Sequence, residues 1–154
     1  VVATFRNFDV ESCYGDLLYV AKDDLNKITR FWKSCNHSEK LLYRGWIPPH
    51  PTCYFKKTVY ENYGIFDLKY QLAADFDLLF RFFWKNKISS KYLPEVLVKM
   101  RLGGATNRNI RNILYQNIEI LRIYGFKNPL IILRVIIFKI YNRIFQYYYA
   151  TYKK

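Results

Sequence analysis

The 154-residue chain is predicted to fold as an α/β domain, with a mixed sheet and C-terminal amphipathic helices. Three observations predict it. Short runs of aromatic and branched residues, the mark of strands, alternate with segments of helical periodicity. Hydrophobic residues make up 51% of the chain and aromatics 19%, enough to build a core rather than a disordered polymer. Glycine and proline stand at the joints between these segments, where a turn is needed, and no internal repeat or low-complexity linker is visible.

The elements follow in order. Residues 13–20 (CYGDLLYV) read as a strand that ends at the polar turn Lys22-Asp23-Asp24. Residues 28–32 supply a second strand and complete a hairpin, and 36–40 are polar and loop-like. Gly45-Trp46-Ile47-Pro48-Pro49-His50-Pro51 is excluded from regular structure, because three prolines fix the backbone and remove donors. Residues 52–55 read as a strand and 58–63 as a short helix closed by Gly64. A helix over 73–86 follows, burying Leu78, Leu79, Phe82 and Phe83 at three- and four-residue spacing. Asp75 falls in its first turn, where an acidic side chain ordinarily satisfies free N–H groups. A strand over 96–101 comes after Pro94, and Gly103-Gly104 breaks the chain. Thr106 or Asn107 is expected to cap a helix to about residue 124, and Gly125 and Pro129 lead into a last helix, 130 to about 149.

Charge narrows the function classes. The net charge is +13, and residues 101–154 hold 10 Lys/Arg against a single acid, Glu119. Such an excess favours an anionic partner: lipid head groups, nucleotide or lipid-linked phosphates, or nucleic acid. No nucleic-acid motif is present and the aromatics fall in buried-looking segments, so nucleic acid is not the expected partner. In the last helix, Arg134, Lys139, Asn142, Arg143 and Gln146 read as one half of a wheel. Ile132, Val135, Ile136, Ile140, Ile144 and Tyr147 lie largely opposite. Its apolar runs fall far short of the roughly 20 residues that span a bilayer. Residues 129–154 are therefore expected to lie on an anionic membrane surface, with Tyr147, Tyr148, Tyr149 and Tyr152 at the headgroup boundary. The alternative is an ordinary amphipathic helix packed on the domain. Cys13, Cys35 and Cys53 form no CxxC pair and, with only two histidines, make neither a disulfide framework nor a structural zinc site. That points to the cytoplasm. No signal peptide is evident, and a start at Val1-Val2-Ala3 without Met reads as a fragment or an excised region.

Six pieces stand in order: Tyr14-Gly15-Asp16, residues 45–52, Phe55-Lys56-Lys57, residues 63–67 (YGIFD), residues 73–81 (AADFDLLFR) and residues 100–107 (MRLGGATN). Over about two-thirds of the chain, from 10 to 107, they resemble the C-terminal portion of bacterial family 2 glycosyltransferases, the inverting GT-A enzymes that build cell-surface polysaccharides. The resemblance implies an incomplete GT-A fold. Residues 1–107 would form the acceptor-side half and 108–154 a helical, membrane-associated extension on the inner face of the plasma membrane. It implies transfer of a sugar from a nucleotide-sugar donor to a glycan or lipid-linked acceptor. A hydroxyl is a poor nucleophile and needs a positioned base, and Asp75 stands at the matching position. His50 would contact the acceptor or a leaving phosphate, Trp46 would stack on a sugar ring, and Arg81 would pair with a phosphate or a carboxylate. Asp16 would end the strand beneath the cleft, and Gly104, with Gly103 and Thr106, would offer N–H groups to a phosphate. Asp77 would face away and serve structure.

The family also carries an Asp-x-Asp motif that holds Mg2+ or Mn2+ on the diphosphate. That motif is absent here, because Asp23-Asp24 sits in a turn after the strand, and the chain alone is expected to be inactive. Plain structural roles compete at each position: a cap for Asp75, a core aromatic for Trp46, an ion pair for Arg81, a loop hydrogen bond for His50. The competing function is a non-catalytic basic module that binds membranes.

Overall fold

The computed structural model describes residues 1–42, 44–103, 109–125 and 129–151. It is an α/β fold with an open sheet in which parallel and antiparallel pairings mix. The central strand β1 (Ser12–Val20) is buried at every residue. β2 (Ile28–Trp32) pairs antiparallel with its second half, Leu17 opposite Trp32 and Tyr19 opposite Arg30. The two-residue strand β3 (Tyr54–Phe55) pairs antiparallel with Ser12 and Cys13. β4 (Ser90–Arg101) runs parallel along the whole of β1, so β2 and β3 share the opposite edge.

β4 begins at Ser90 rather than after Pro94. Proline lacks the N–H that a ladder needs and is tolerated where the ladder is irregular. The β1–β4 register shifts on both sides of Asp16, opposite that region. Gly15 makes the irregular approach possible: a Cβ there would lie 2.5 Å from Leu97 Cγ and 2.7 Å from the Glu95 carbonyl oxygen.

A short helix α1 (Val2–Asn7), unforeseen in the sequence, precedes β1, and a single turn α2 (Glu39–Leu42) closes the polar loop. The proline-rich stretch is irregular except for a 3-10 turn at His50–Thr52. The Thr52 hydroxyl lies 2.9 Å from the Gly15 carbonyl and ties that loop to the central strand. α3 (Lys57–Tyr63) ends at Gly64, whose φ of 81° suits glycine.

The helix expected over 73–86 is α4 (Ala74–Leu79) continued by a π-helical turn, Phe80–Lys85. The segment is buried on two sides. Phe76 and Phe80 meet Tyr124 edge-on, while Phe82 and Phe83 pack on Phe55 and Tyr14. Widening the turn accommodates rings that a one-faced amphipathic helix does not.

α5 (Ile110–Tyr124) is capped by Asn109, whose side chain accepts from the Asn112 N–H at 2.8 Å. The expected caps, Thr106 and Asn107, lie outside the described residues. α6 (Pro129–Thr151) packs on β2, with Ala150 against Leu18 and Phe31. Among the described residues no helix is long and apolar enough to cross a membrane.

The orientation of α6 departs from the expected wheel. Val135 and Ala150 are buried, and Lys139, Asn142 and Gln146 are half-buried against the domain. Leu130, Leu133, Ile137, Ile140, Tyr141 and Ile144 are exposed. Val135 therefore shares the face of Lys139 instead of opposing it, and Arg134 is exposed on the outer side. Lys139, Asn142 and Gln146 of the polar stripe face the protein, Arg134 and Arg143 are exposed, and most of the apolar side chains face out.

Candidate functional site

A cavity of about 350 Å³ opens at the carboxyl ends of β1 and β4, marked by Tyr19 and residues 100–103. Crevices beyond the carboxyl ends of parallel strands are where open α/β sheets collect ligands, and the volume suits a small one. The proline-rich loop, the first turn of α4, and one side of α6 form the other walls.

Asp75, in the first turn of α4, lines this cavity with an exposed side chain, one carboxylate oxygen 2.7 Å from the Phe76 N–H. α4 has no side-chain cap of its own, since its N-cap is Ala73. The stretch leading into it is instead held by α5. Glu119 accepts the N–H groups of Gln71, Leu72 and Ala73 at 2.9–3.0 Å, and Gln116 donates to the Leu72 carbonyl at 3.0 Å. Charge-assisted bonds from a buried carboxylate are among the stronger ones a protein makes. They fix the loop from which Asp75 is launched.

His50 opens the 3-10 turn and is half-buried, its ring edge-on to Phe66 at 5.6 Å. Burial pushes its pKa below the usual histidine value, and the nearby Asp75 carboxylate opposes that shift without reversing it. The ring is therefore neutral near pH 7, able to donate at one nitrogen and accept at the other. Trp46, 8% exposed, packs edge-on against Tyr14 at 6.4 Å and turns its remaining surface to the cavity. It is at once a core aromatic and a cavity wall.

Two expected ligand contacts are placed elsewhere. Arg81 donates to Asp77 at 2.8 Å and to the carbonyls of Tyr63 and Ile65 at 2.5 and 2.6 Å. Its guanidinium closes α3 onto α4 and is not among the cavity-lining residues described. Asp77, as expected, is buried and structural. Asp16 is 5% exposed and accepts from the Ser34 N–H at 2.7 Å and the Tyr92 hydroxyl at 2.9 Å. It stitches strands together. Gly104 and Thr106 lie outside the described residues.

What sequence reasoning missed is the cationic wall. Arg30 of β2 is 2% exposed, with its guanidinium 3.5 Å from the centre of the Tyr19 ring. Lys139 and Arg143 of α6 line the same cavity, as do Asn142 and Gln146. The signals exist in the sequence. Arg30 interrupts an otherwise apolar strand beside Phe31 and Trp32, and the polar stripe of α6 is plain, although a helical wheel alone directs it to a membrane.

Asp75 is the one carboxylate among the cavity-lining residues described, and among the described residues no three His, Cys, Asp or Glu side chains converge. A lone carboxylate in a lining that also holds Arg30, Arg101, Lys139 and Arg143 does not fit a divalent ion. The arrangement suits a ligand carrying a hydroxyl, an apolar ring face and an anionic group. No protein-family model matches the chain, and neither the curated proteins nor the solved structures yield a match.

Proposed function

We propose that the chain is the acceptor-side half of a glycosyltransferase similar to those of bacterial family 2, acting on a nucleotide-sugar donor and a glycan or lipid-linked acceptor. The observation that carries this reading is the Asp75 carboxylate, set in the cavity beside His50 and Trp46. Asp75 takes the acceptor hydroxyl proton as that oxygen attacks the anomeric carbon. The bond from that carbon to the diphosphate breaks, and its electron pair leaves with the diphosphate. Trp46 offers a face for a sugar ring, and neutral His50 orients the acceptor by hydrogen bonding. The Mg2+ or Mn2+ that the resemblance implies belongs with the nucleotide-binding half, and the chain by itself is expected to be inert.

The test measures nucleoside diphosphate release by this chain together with a nucleotide-binding half, in cis or in trans. Asp75→Asn lowers turnover about 10²- to 10⁴-fold, the range of a positioned base, and leaves the melting temperature unchanged. Turnover retained in that variant rejects Asp75 as the base.

A second reading rests on the outward apolar stripe of α6, which fits a peripheral module on an anionic membrane, at the inner face of the plasma membrane. The two readings are compatible: a lipid-linked acceptor resides at that surface.

A further inference from the structure

We propose that Arg30, Lys139 and Arg143 form a phosphate-binding subsite inside the cavity, on the wall that β2 and α6 build together. Arg30 is almost completely buried, yet among the described residues it has no carboxylate partner, and its Nε has no hydrogen-bond partner at all. A buried cation left uncompensated is among the costlier features a fold can carry. Stacking on Tyr19 answers only part of that demand.

Lys139 adds a second positive charge that, among the described residues, has no carboxylate against it. Its ammonium is held by Asn117 Oδ1 at 2.8 Å, a neutral acceptor that orients it without neutralising it. Burial and the neighbouring Arg143 depress its pKa to about 8, so the protein alone does not relieve the charge. Arg143, lining the cavity, lies close enough to act electrostatically on both Arg30 and Lys139. Gln146 contributes a buried Oε1 that also lacks a partner. A buried Arg30, a half-buried Lys139, the exposed Arg143 and one free acceptor in a single cavity describe the complement of a phosphate group that carries a hydroxyl nearby. Arginine forks and a lysine point charge are the side chains that hold such oxygens.

This takes the proposed site further and stands if the role of Asp75 fails. The phosphate has two candidate sources, the leaving nucleotide and a lipid-linked acceptor, and the experiment separates them. Calorimetry on the full 154-residue chain uses inorganic pyrophosphate, UDP and decyl phosphate as probes. Lys139→Gln and Arg143→Gln each weaken pyrophosphate binding about tenfold, whereas Arg134→Gln, on the outer face of the same helix, leaves it unchanged. Asp75→Asn strengthens it, by removing the cavity's opposing charge. Arg30→Met abolishes it and raises the melting temperature, because the buried charge is gone.

Decyl phosphate binding more tightly than UDP assigns the subsite to a lipid-linked acceptor, and the reverse order assigns it to the nucleotide. Either order upholds the subsite. Absence of pyrophosphate binding, or equal weakening by Arg134→Gln, overturns it, since the net charge alone would then account for any attraction.

Discussion

Glu119 shows how one side chain prepares a site it does not enter. It is buried on α5, yet its carboxylate holds three consecutive backbone N–H groups just ahead of α4. Glu119→Ala strands those donors, and at about 1 kcal/mol for each poorly satisfied group the loss is about 3 kcal/mol. For a chain of this size that lowers the melting temperature by roughly 10 °C. Calorimetry reads the loss, and any turnover falls with it because Asp75 loses its support. Arg81→Ala has a different signature. It leaves Asp77 buried without its cation and costs about 3 kcal/mol in stability, but pyrophosphate affinity is untouched, because Arg81 lies outside the cavity. Residue roles are legible in unequal measure. Asp75, His50 and Trp46 share a loop-and-helix neighbourhood in the sequence, and the fold puts them in one cavity. Glu119 stands out as the only acid of a basic third, but charge counting treats it as surface. Its role needs α5 folded back across more than 40 residues of chain.

At the scale of elements, periodicity identifies both long helices and the hairpin, because each is a local pattern. It fails where two neighbours compete for one segment. Pro94 argues against a strand, so local pattern starts β4 only after it; Gly15, on a distant strand, removes the obstacle by letting the backbones approach. The π turn is invisible to a local pattern, because its second buried side exists only once α5 lies against it. α6 is amphipathic as its periodicity says, but Lys139, Asn142 and Gln146 of its polar stripe point inward. A wheel shows that two faces differ, and only the tertiary structure shows which one meets water. The outward stripe yields a prediction. Ile137→Glu with Ile144→Glu alters two exposed residues, so the fold should persist with an unchanged far-ultraviolet dichroism spectrum. Flotation on vesicles containing phosphatidylglycerol should nevertheless be lost. Flotation that survives both charges removes α6 as the membrane contact.

For the whole molecule, the net charge of +13 makes folding itself sensitive to proton and salt concentration. Lys139 gives that sensitivity a defined window. Its folded pKa is lowered to about 8 from an ordinary lysine value near 10.5. Between those two pH values the unfolded chain binds more protons at this position than the folded one does. Stability therefore rises with pH across that interval, and the full penalty of the buried ammonium is present below pH 8. Opposing groups titrate nearby. Burial raises the pKa of Tyr14, Tyr92 and Tyr124 and of the Cys13 and Cys53 thiols, so the penalty of ionising them begins as pH climbs past the unfolded values of about 9 and 10. A neutral form favoured by burial keeps its protons in the folded state, and stability falls with pH there. A single melting curve against pH mixes the two trends. The difference between wild type and Lys139→Gln isolates one, because the tyrosines and thiols are common to both. That difference should shift in favour of the wild type from about pH 7.5 to about pH 9.5, measured by scanning calorimetry under reducing conditions. With saturating pyrophosphate the shift should shrink, because a bound anion raises the lysine pKa back toward its ordinary value and restores its charge. A difference that stays flat across the interval would mean that Lys139 is solvated rather than buried, and the cationic wall would lose its central member.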